Sequence, residues 1–164
     1  MKILVFSDSH GHFYEFRDAV ARHAHNTDAV FFLGDGYSDF CQVRDAFPGI
    51  AFFGVLGNCD FAGLYRGEEV LYERMVSLEN HRFLLMHGHK HWVKEGYGSA
   101  IAHAKEKGAT VLLCGHTHRA VDTLDSELIV FNPGSLGSPG YGRRTYGVME
   151  IANGVLVRSH AEVF

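Results

Sequence analysis

Hydrophobic residues recur along this chain in short runs, and nearly every run stops at a glycine or a polar cluster. Residues 2–6, Lys-Ile-Leu-Val-Phe, are β-branched and apolar enough to predict a first, buried strand. Phe13, Phe16, Val20 and Ala24 then follow at helical spacing, which predicts an amphipathic helix over 13–25. The apolar run 29–33 stops at Gly34-Asp35-Gly36. Phe40, Val43 and Phe47 share one face of a helix over 38–47, which Pro48-Gly49 ends. Residues 50–56 form a third strand, closed by Gly57-Asn58-Cys59-Asp60. This opening third is β-α-β-α-β, the pattern of a parallel sheet with helices packed against it.

The rhythm then changes. Segments 70–78 and 82–86 flank a polar Glu-Asn-His tip and predict a hairpin, whose second strand leads into His87-Gly88-His89. A helix is expected over 99–107, with Gly108 as its C-terminal stop. Residues 111–114, Val-Leu-Leu-Cys, predict a buried strand running into Gly115-His116-Thr117-His118. Two further hairpins pair 120–124 with 127–131 about Asp125-Ser126, and 145–151 with 155–160 across Asn153-Gly154, a strong turn signal. No repeat or linker interrupts the chain, so a single domain over 1–164 is expected. Strands outnumber helices, which predicts two sheets packed face to face with helices outside.

Composition narrows the class. A chain of 164 residues can bury a substantial core without disulfides. No apolar run is long enough to cross a bilayer, and the short one at the N-terminus ends in an acid, unlike a signal peptide. Cys41, Cys59 and Cys114 are odd in number and widely spaced, as expected of reduced thiols in a cytoplasmic protein. A net charge of −4 argues against a general nucleic-acid surface, although Arg119, Arg143 and Arg144 can gather locally. With 12 histidines present, the pair His116 and His118 is either a chance of composition or a pair of metal ligands.

What decides between these readings is where the polar clusters fall. Five apolar strands each end in one: Ser7-Asp8-Ser9-His10, Gly34-Asp35, Gly57-Asn58-Cys59-Asp60, His87-Gly88-His89 and Gly115-His116-Thr117-His118. Ligands of open α/β sheets bind outside the carboxyl ends of the strands. If these five ends share one edge, two carboxylates, an amide oxygen and several imidazoles converge there. Taken singly, Asp8 can cap a helix, Asp35 and Asn58 can be turn residues, and His87 can be a satisfied buried histidine. With the chance pairing of His116 and His118 as a fifth, such accounts arising together, each after a strand, are a poor explanation.

In order and kind, Asp8-x-His10, Gly34-Asp35, Gly57-Asn58-x-Asp60, His87 and Gly115-His116-x-His118 resemble the motifs of the calcineurin-like metallophosphoesterases. The tail Asn132-Pro-Gly-Ser135 is similar to that of small bacterial and archaeal phosphodiesterases of the YfcE type. The resemblance implies an α/β fold, a four-layer α-β-β-α sandwich, with a binuclear centre. It implies that Asp8, His10 and His118 bind one divalent ion and Asn58, His87 and His116 the other, with Asp35 bridging them. Mn²⁺ is the expected ion, with Ni²⁺, Fe and Zn²⁺ as alternatives. The implied activity is that of a phosphoesterase, more specifically a phosphodiesterase, acting on a small phosphoester by attack of a metal-bridging hydroxide. Accordingly, no Ser or Cys sits in a recognisable nucleophile motif.

One position departs from the pattern. Many members of the superfamily carry His where this chain has Cys59, and that His is thought to protonate the leaving oxygen, with Asp60 orienting it. Asn58, Cys59 and Asp60 are therefore the candidate catalytic stretch, with a thiol in place of a good general acid. The Gly-Asp-x-x-Asp-Arg-Gly pattern of Ser/Thr protein phosphatases is absent. His12, His89, His91, Tyr141, Arg143 and Arg144 are candidates for substrate contact. His23, His25, His81, His103 and His160 read as ordinary surface or partly buried residues. Two other readings stay open: a protein-binding scaffold like the retromer subunit of this fold, and a hydrolase of cyclic nucleotides or dinucleoside polyphosphates. No membrane partner is expected, and the oligomeric state is left open, a homo-oligomer included.

Overall fold

In a computed structural model that describes residues 1–65, 69–138 and 142–163, the opening third folds as its periodicity predicts. Its elements are β1 (Lys2–Phe6), α1 (Phe13–His23), β2 (Ala29–Phe32), α2 (Tyr37–Ala46) and β3 (Ala51–Gly54). The three strands are parallel neighbours, with Val5 opposite Phe31 and Phe31 opposite Phe53. The chain continues through β4 (Glu73–Leu78), β5 (His81–Met86), α3 (Gly98–Glu106), β6 (Val111–Cys114), β7 (Ala120–Asp125) and β8 (Leu128–Pro133). It closes with the hairpin β9 (Thr145–Ala152) and β10 (Val155–Glu162). The first sheet runs β10-β9-β1-β2-β3 and the second β4-β5-β6-β8-β7.

Alternation along the strands explains why the sheets stack. Val5, Phe31 and Leu33 of the first sheet meet Phe83, Leu85, Leu113 and Phe131 of the second in one buried cluster. On the opposite face of the first sheet, Leu4, Phe6, Val30 and Phe32 pack against Phe16 and Val20 of α1 and Phe40 and Val43 of α2. Leu84, Met86, Leu112 and Cys114 pack against Ala100 and Ala104 of α3. Central strands are thus apolar on both faces, which is why they read as continuous runs. The layers are helix, sheet, sheet, helix: a four-layer α-β-β-α sandwich.

Element boundaries shift slightly. The first helix stops at His23 and continues as a 3₁₀ turn, Ala24–Asn26, where the Thr27 hydroxyl donates to the His23 carbonyl. The third strand ends at Gly54, although Val55 and Leu56 stay buried and Leu56 N–H bonds to the Leu71 carbonyl.

A larger difference concerns the shared edge. The five motif-bearing strands do not lie in one sheet: β1, β2 and β3 belong to the first, and β5 and β6, parallel to each other, to the second. Stacking of the two sheets brings both sets of carboxyl ends to one end of the sandwich. A sixth strand, β8, runs parallel to β6 and delivers Asn132 to the same end.

Candidate metal centre

The loops that leave these strands are laced together by their backbones. Asp8 N–H donates to the Gly34 carbonyl at 2.9 Å and His10 N–H to the Asp35 carbonyl at 3.1 Å. Leu136 and Gly137 donate to the carbonyls of Ser7 and Asp8. The lacing forces unusual conformations. Asp8, His10, Asp35, His116 and His118 take φ of 55°, 45°, 60°, 67° and 57°, the left-handed region. Each costs about 1–2 kcal/mol relative to right-handed backbone. Strain gathered in five chemistry-bearing residues marks a functional site.

Gly34 and Gly57 let two of these loops touch. A Cβ on Gly34 would lie 2.4 Å from Gly57 N, and one on Gly57 would lie 2.0 Å from Asp35 Oδ1. Gly57→Ala is therefore expected to destabilise the protein by about 1–3 kcal/mol, the usual cost of overpacking, and to displace the Asp35 carboxylate. Thermal unfolding and divalent-ion titration of the variant check this; wild-type Tm and affinity would refute the close packing.

Asp60 holds the same two loops from the other side. Its Oδ2 accepts from Asp35 N–H and Gly57 N–H, both at 2.8 Å, and its Oδ1 from Gly36 and Tyr37 N–H, both at 2.9 Å. The orienting part expected of Asp60 toward the side chain at 59 thus gives way to orientation of backbone. Asp39, Ser7, Asn132 and Ser135 give similar support, which no spacing rule singled out. Asp39 accepts from the Ser9 hydroxyl and Gly11 N–H. The Asn132 amide donates to the Gly115 carbonyl and the Thr117 hydroxyl, and the Ser135 hydroxyl to the Asp8 carbonyl. In the sequence, Asn132 and Ser135 stood out only through the resemblance of their tail motif to the YfcE-type phosphodiesterases.

Within this frame the seven candidate ligands come together. Donor atoms of Asp8, His10 and His118 lie within 4.8 Å of one another, as do those of Asp35, His87 and His116. Asn58 Oδ1 joins the second group, 3.1 Å from His87 Nε2. Asp35 lies between the groups: Oδ1 accepts Cys59 N–H at 2.8 Å, while Oδ2 is 3.3 Å from His87 Nε2 and 3.9 Å from His10 Nε2. Carbonyls set the tautomers, because a carbonyl only accepts. His87 Nδ1–H donates to Leu33 O at 2.7 Å and His118 Nδ1–H to Ser138 O, which turns both Nε2 atoms inward.

The donor set fits divalent cations on its own terms. Asp8 Oδ2 takes the Ser7 hydroxyl at 2.6 Å and His116 N–H at 3.1 Å. Asp8 Oδ1 is wholly buried and no hydrogen bond is directed at it, although His118 Nε2 lies 3.1 Å away. Ring nitrogens also face one another, His10 Nε2 to His118 Nε2 at 3.3 Å and His116 Nδ1 to His87 Nε2 at 3.2 Å. Lone pairs converging from both carboxylates and four rings are poorly served by a few protons and well served by divalent cations.

Charges follow the geometry. Burial opposes ionisation of Asp35, but the His87 ring and Cys59 N–H outweigh it and hold the carboxyl well below the usual range. Burial alone would depress His87, yet Asp35 and Asp8 raise it above an ordinary histidine. His118 is raised chiefly by Asp8. His116 is pushed down to about 4 by burial and by neighbouring His87 and Lys94, so its ring is neutral. The mostly exposed Cys59 thiol is pushed up to about 11 by its partial cover and by Asp35.

The outlying candidates scatter. His12 Nδ1–H donates to the Ser9 carbonyl. His89 lies near the centre, its ring 5.5 Å from that of His87, while His91 turns away toward Ser99 and His103. Arg143 pairs with Glu162 and Arg144 with Glu15. Tyr141 lies outside the described residues.

Comparison with known proteins shows the family and the fold. The model of the calcineurin-like phosphoesterase superfamily domain matches residues 1–154. A probable metallophosphoesterase of Mycoplasma pneumoniae is 35% identical over 159 residues, 93% of this chain and 91% of that protein. The probable metallophosphoesterase YsnB of Bacillus subtilis is 30% identical over 155 residues, 93% of this chain and 86% of that protein. Among solved structures, a conserved uncharacterized protein of Streptococcus pneumoniae, described as a predicted phosphoesterase, superposes with a TM-score of 0.82 at 25% identity, covering 98% of this chain and 88% of that one. E. coli YfcE, described as a phosphoesterase, gives 0.69 at 24% identity over the whole of both chains. Vacuolar protein sorting 29 of Cryptosporidium parvum gives 0.76 at 17%, covering 98% and 96%, a likeness of fold alone.

Proposed function

The chain belongs to the calcineurin-like phosphoesterase superfamily, and on that footing we propose that it is a binuclear, metal-dependent phosphodiesterase. Asp8, His10 and His118 hold one divalent ion, Asn58, His87 and His116 the other, and Asp35 serves both. The observation that carries this reading is the pair of donor groups facing across Asp35, with Asp8 Oδ1 buried and without a directed donor. Two bound ions supply Lewis acidity for the phosphate and lower the pKa of water for attack. Mn²⁺ is the ion proposed, and the cytoplasm the compartment; no helix among the described residues is long and apolar enough to cross a membrane.

This chain's own residues prepare the site. Carbonyls of Leu33 and Ser138 keep the His87 and His118 rings turned inward. Asp60 keeps the Asp35 and Asn58 loops in register. Beside Thr117, a groove of about 520 Å³ is lined by Lys94, Tyr97 and Arg119. With Glu95 also in its lining, the groove sets two cationic side chains against one carboxylate, and its room for the second arm of a diester favours diester over monoester. Hydrolysis of an aryl phosphodiester by the Mn²⁺-loaded protein, set beside the corresponding monoester, tests the reading. Two ions bound with no hydrolysis of any phosphoester would turn it toward a protein-binding scaffold.

His116 and His118 are assigned to different ions although one residue separates them. Ala at either position is expected to remove chiefly one ion and to cut turnover by roughly 10²-fold or more. Crystals of the two variants that lacked the same ion would break the assignment. Binding should also weaken as pH falls, because protons held by the raised His87 and His118 compete with the metal.

A further inference from the structure

Away from this centre, three side chains from separate elements meet on the flank of the second sheet. Glu73 opens β4, His91 ends the 3₁₀ turn His89–His91, and His103 lies on α3. One donor atom from each lies within 4.8 Å of the others. His103 Nε2 is 2.8 Å from Glu73 Oε2, and the His91 and His103 rings are 4.8 Å apart at 33°. None of the three belongs to the phosphoesterase motif, and spacing along the chain gave no reason to group them.

We propose that Glu73, His91 and His103 form a separate transition-metal site that takes Zn²⁺. Two imidazoles and one carboxylate are a standard donor set for tetrahedral zinc, with the fourth position left to water. Bonds of about 2.0–2.1 Å at tetrahedral angles place ligand atoms about 3.3 Å apart. The Glu73–His103 pair needs to open by about half an ångström to reach that spacing. His91 closes the set by a rotation of its side chain.

The surroundings support the site. The Ser99 hydroxyl lies 3.3 Å from His91 Nδ1, a partner of the kind that orients a ligating ring. Lys107 Nζ lies 3.6 Å from the other Glu73 oxygen, Oε1, so it does not occupy the position facing the imidazoles. The three side chains are half-buried and open to solvent on one side, so an ion can enter. Bound there, it ties the edge strand β4 to α3 and to the turn that begins two residues beyond His87. Zinc then acts as a staple on the part of the second sheet that carries one of the proposed catalytic ligands.

Crystals of the whole protein soaked in Zn²⁺ and measured at the zinc absorption edge test this directly. The expected result is an anomalous peak bounded by Glu73, His91 and His103, about 2.0–2.2 Å from their donor atoms. In solution, His103→Ala and His91→Ala should each bind one Zn²⁺ fewer per chain than wild type, or bind it roughly tenfold or more weakly. Both should lose the part of the Zn²⁺-dependent rise in Tm that the third ion supplies. The absence of a peak at this cluster overturns the proposal, as does unchanged stoichiometry and affinity in both variants. Failure of the phosphodiesterase reading would show separately, as missing peaks around Asp35 or missing hydrolysis.

Discussion

Asp35→Asn is expected to lower kcat/KM on an aryl phosphodiester by roughly 10³-fold or more and to weaken both ions of the proposed centre together. Asparagine keeps the shape, so the expected loss is electrostatic. Asp35 is buried and ionised, and its two oxygens divide the work. Oδ1 accepts Cys59 N–H, which an amide oxygen can still do. Oδ2 faces His87 and His10, one from each donor group, and an amide nitrogen there would present hydrogens to both cations. Two divalent ions held close together need the negative charge between them. The measurement is metal content and steady-state kinetics on the same preparation, with Tm as a check on folding. Two tightly held ions with a wild-type rate would overturn the assignment of Asp35 to both.

The second large effect concerns Cys59, which sits at the mouth of the site where the superfamily often has histidine. A thiol pushed up to about 11 by its partial cover and by Asp35 donates protons reluctantly, and cations nearby would draw it toward thiolate, which donates none. Leaving groups should therefore depart largely as anions. Nitrophenyl diesters are expected to be cleaved readily and alkyl diesters slowly, with rates that fall steeply as leaving-group pKa rises. Cys59→His should restore a general acid and speed alkyl diesters more than aryl ones. General acids are worth about 10²–10⁴-fold, and the gain should fall at the lower end. Asp60, the obvious partner for a new imidazole, already accepts from four backbone N–H groups. Cys59→Ala should leave nitrophenyl ester hydrolysis little changed. The comparison is kcat/KM across aryl and alkyl diesters for the three proteins. Loss of most aryl activity in Cys59→Ala, or an unaltered slope in Cys59→His, would sink this account.

The chain's local patterns were enough for the strand and helix periods and for two stacked sheets with helices outside, while the four-layer fold class and the candidate ligands came from the resemblance that the polar clusters carry. Strands apolar on both faces stand out as continuous runs, and the polar clusters that end them stand out against those runs. Boundaries shifted by a residue or two at β3 and α1, because hydrogen bonds from Leu56 and Thr27 decided them, and those depend on neighbours distant in space or on a single side-chain rotamer.

Three matters waited for the tertiary structure. A sequence pattern marks the end of a strand but not the sheet it joins, so the single shared edge became two edges brought together by stacking. The work of Asp60 was decided by four N–H groups on loops that converge only in the fold. His103 read as an ordinary histidine because Glu73 and His91, 30 and 12 residues away, meet it only when β4, a short turn and α3 pack together. Periodicity is a local property of the chain, set by backbone geometry and burial of one face. Donor geometry is a property of contacts between elements far apart in sequence, and only packing places those atoms within an ion's reach.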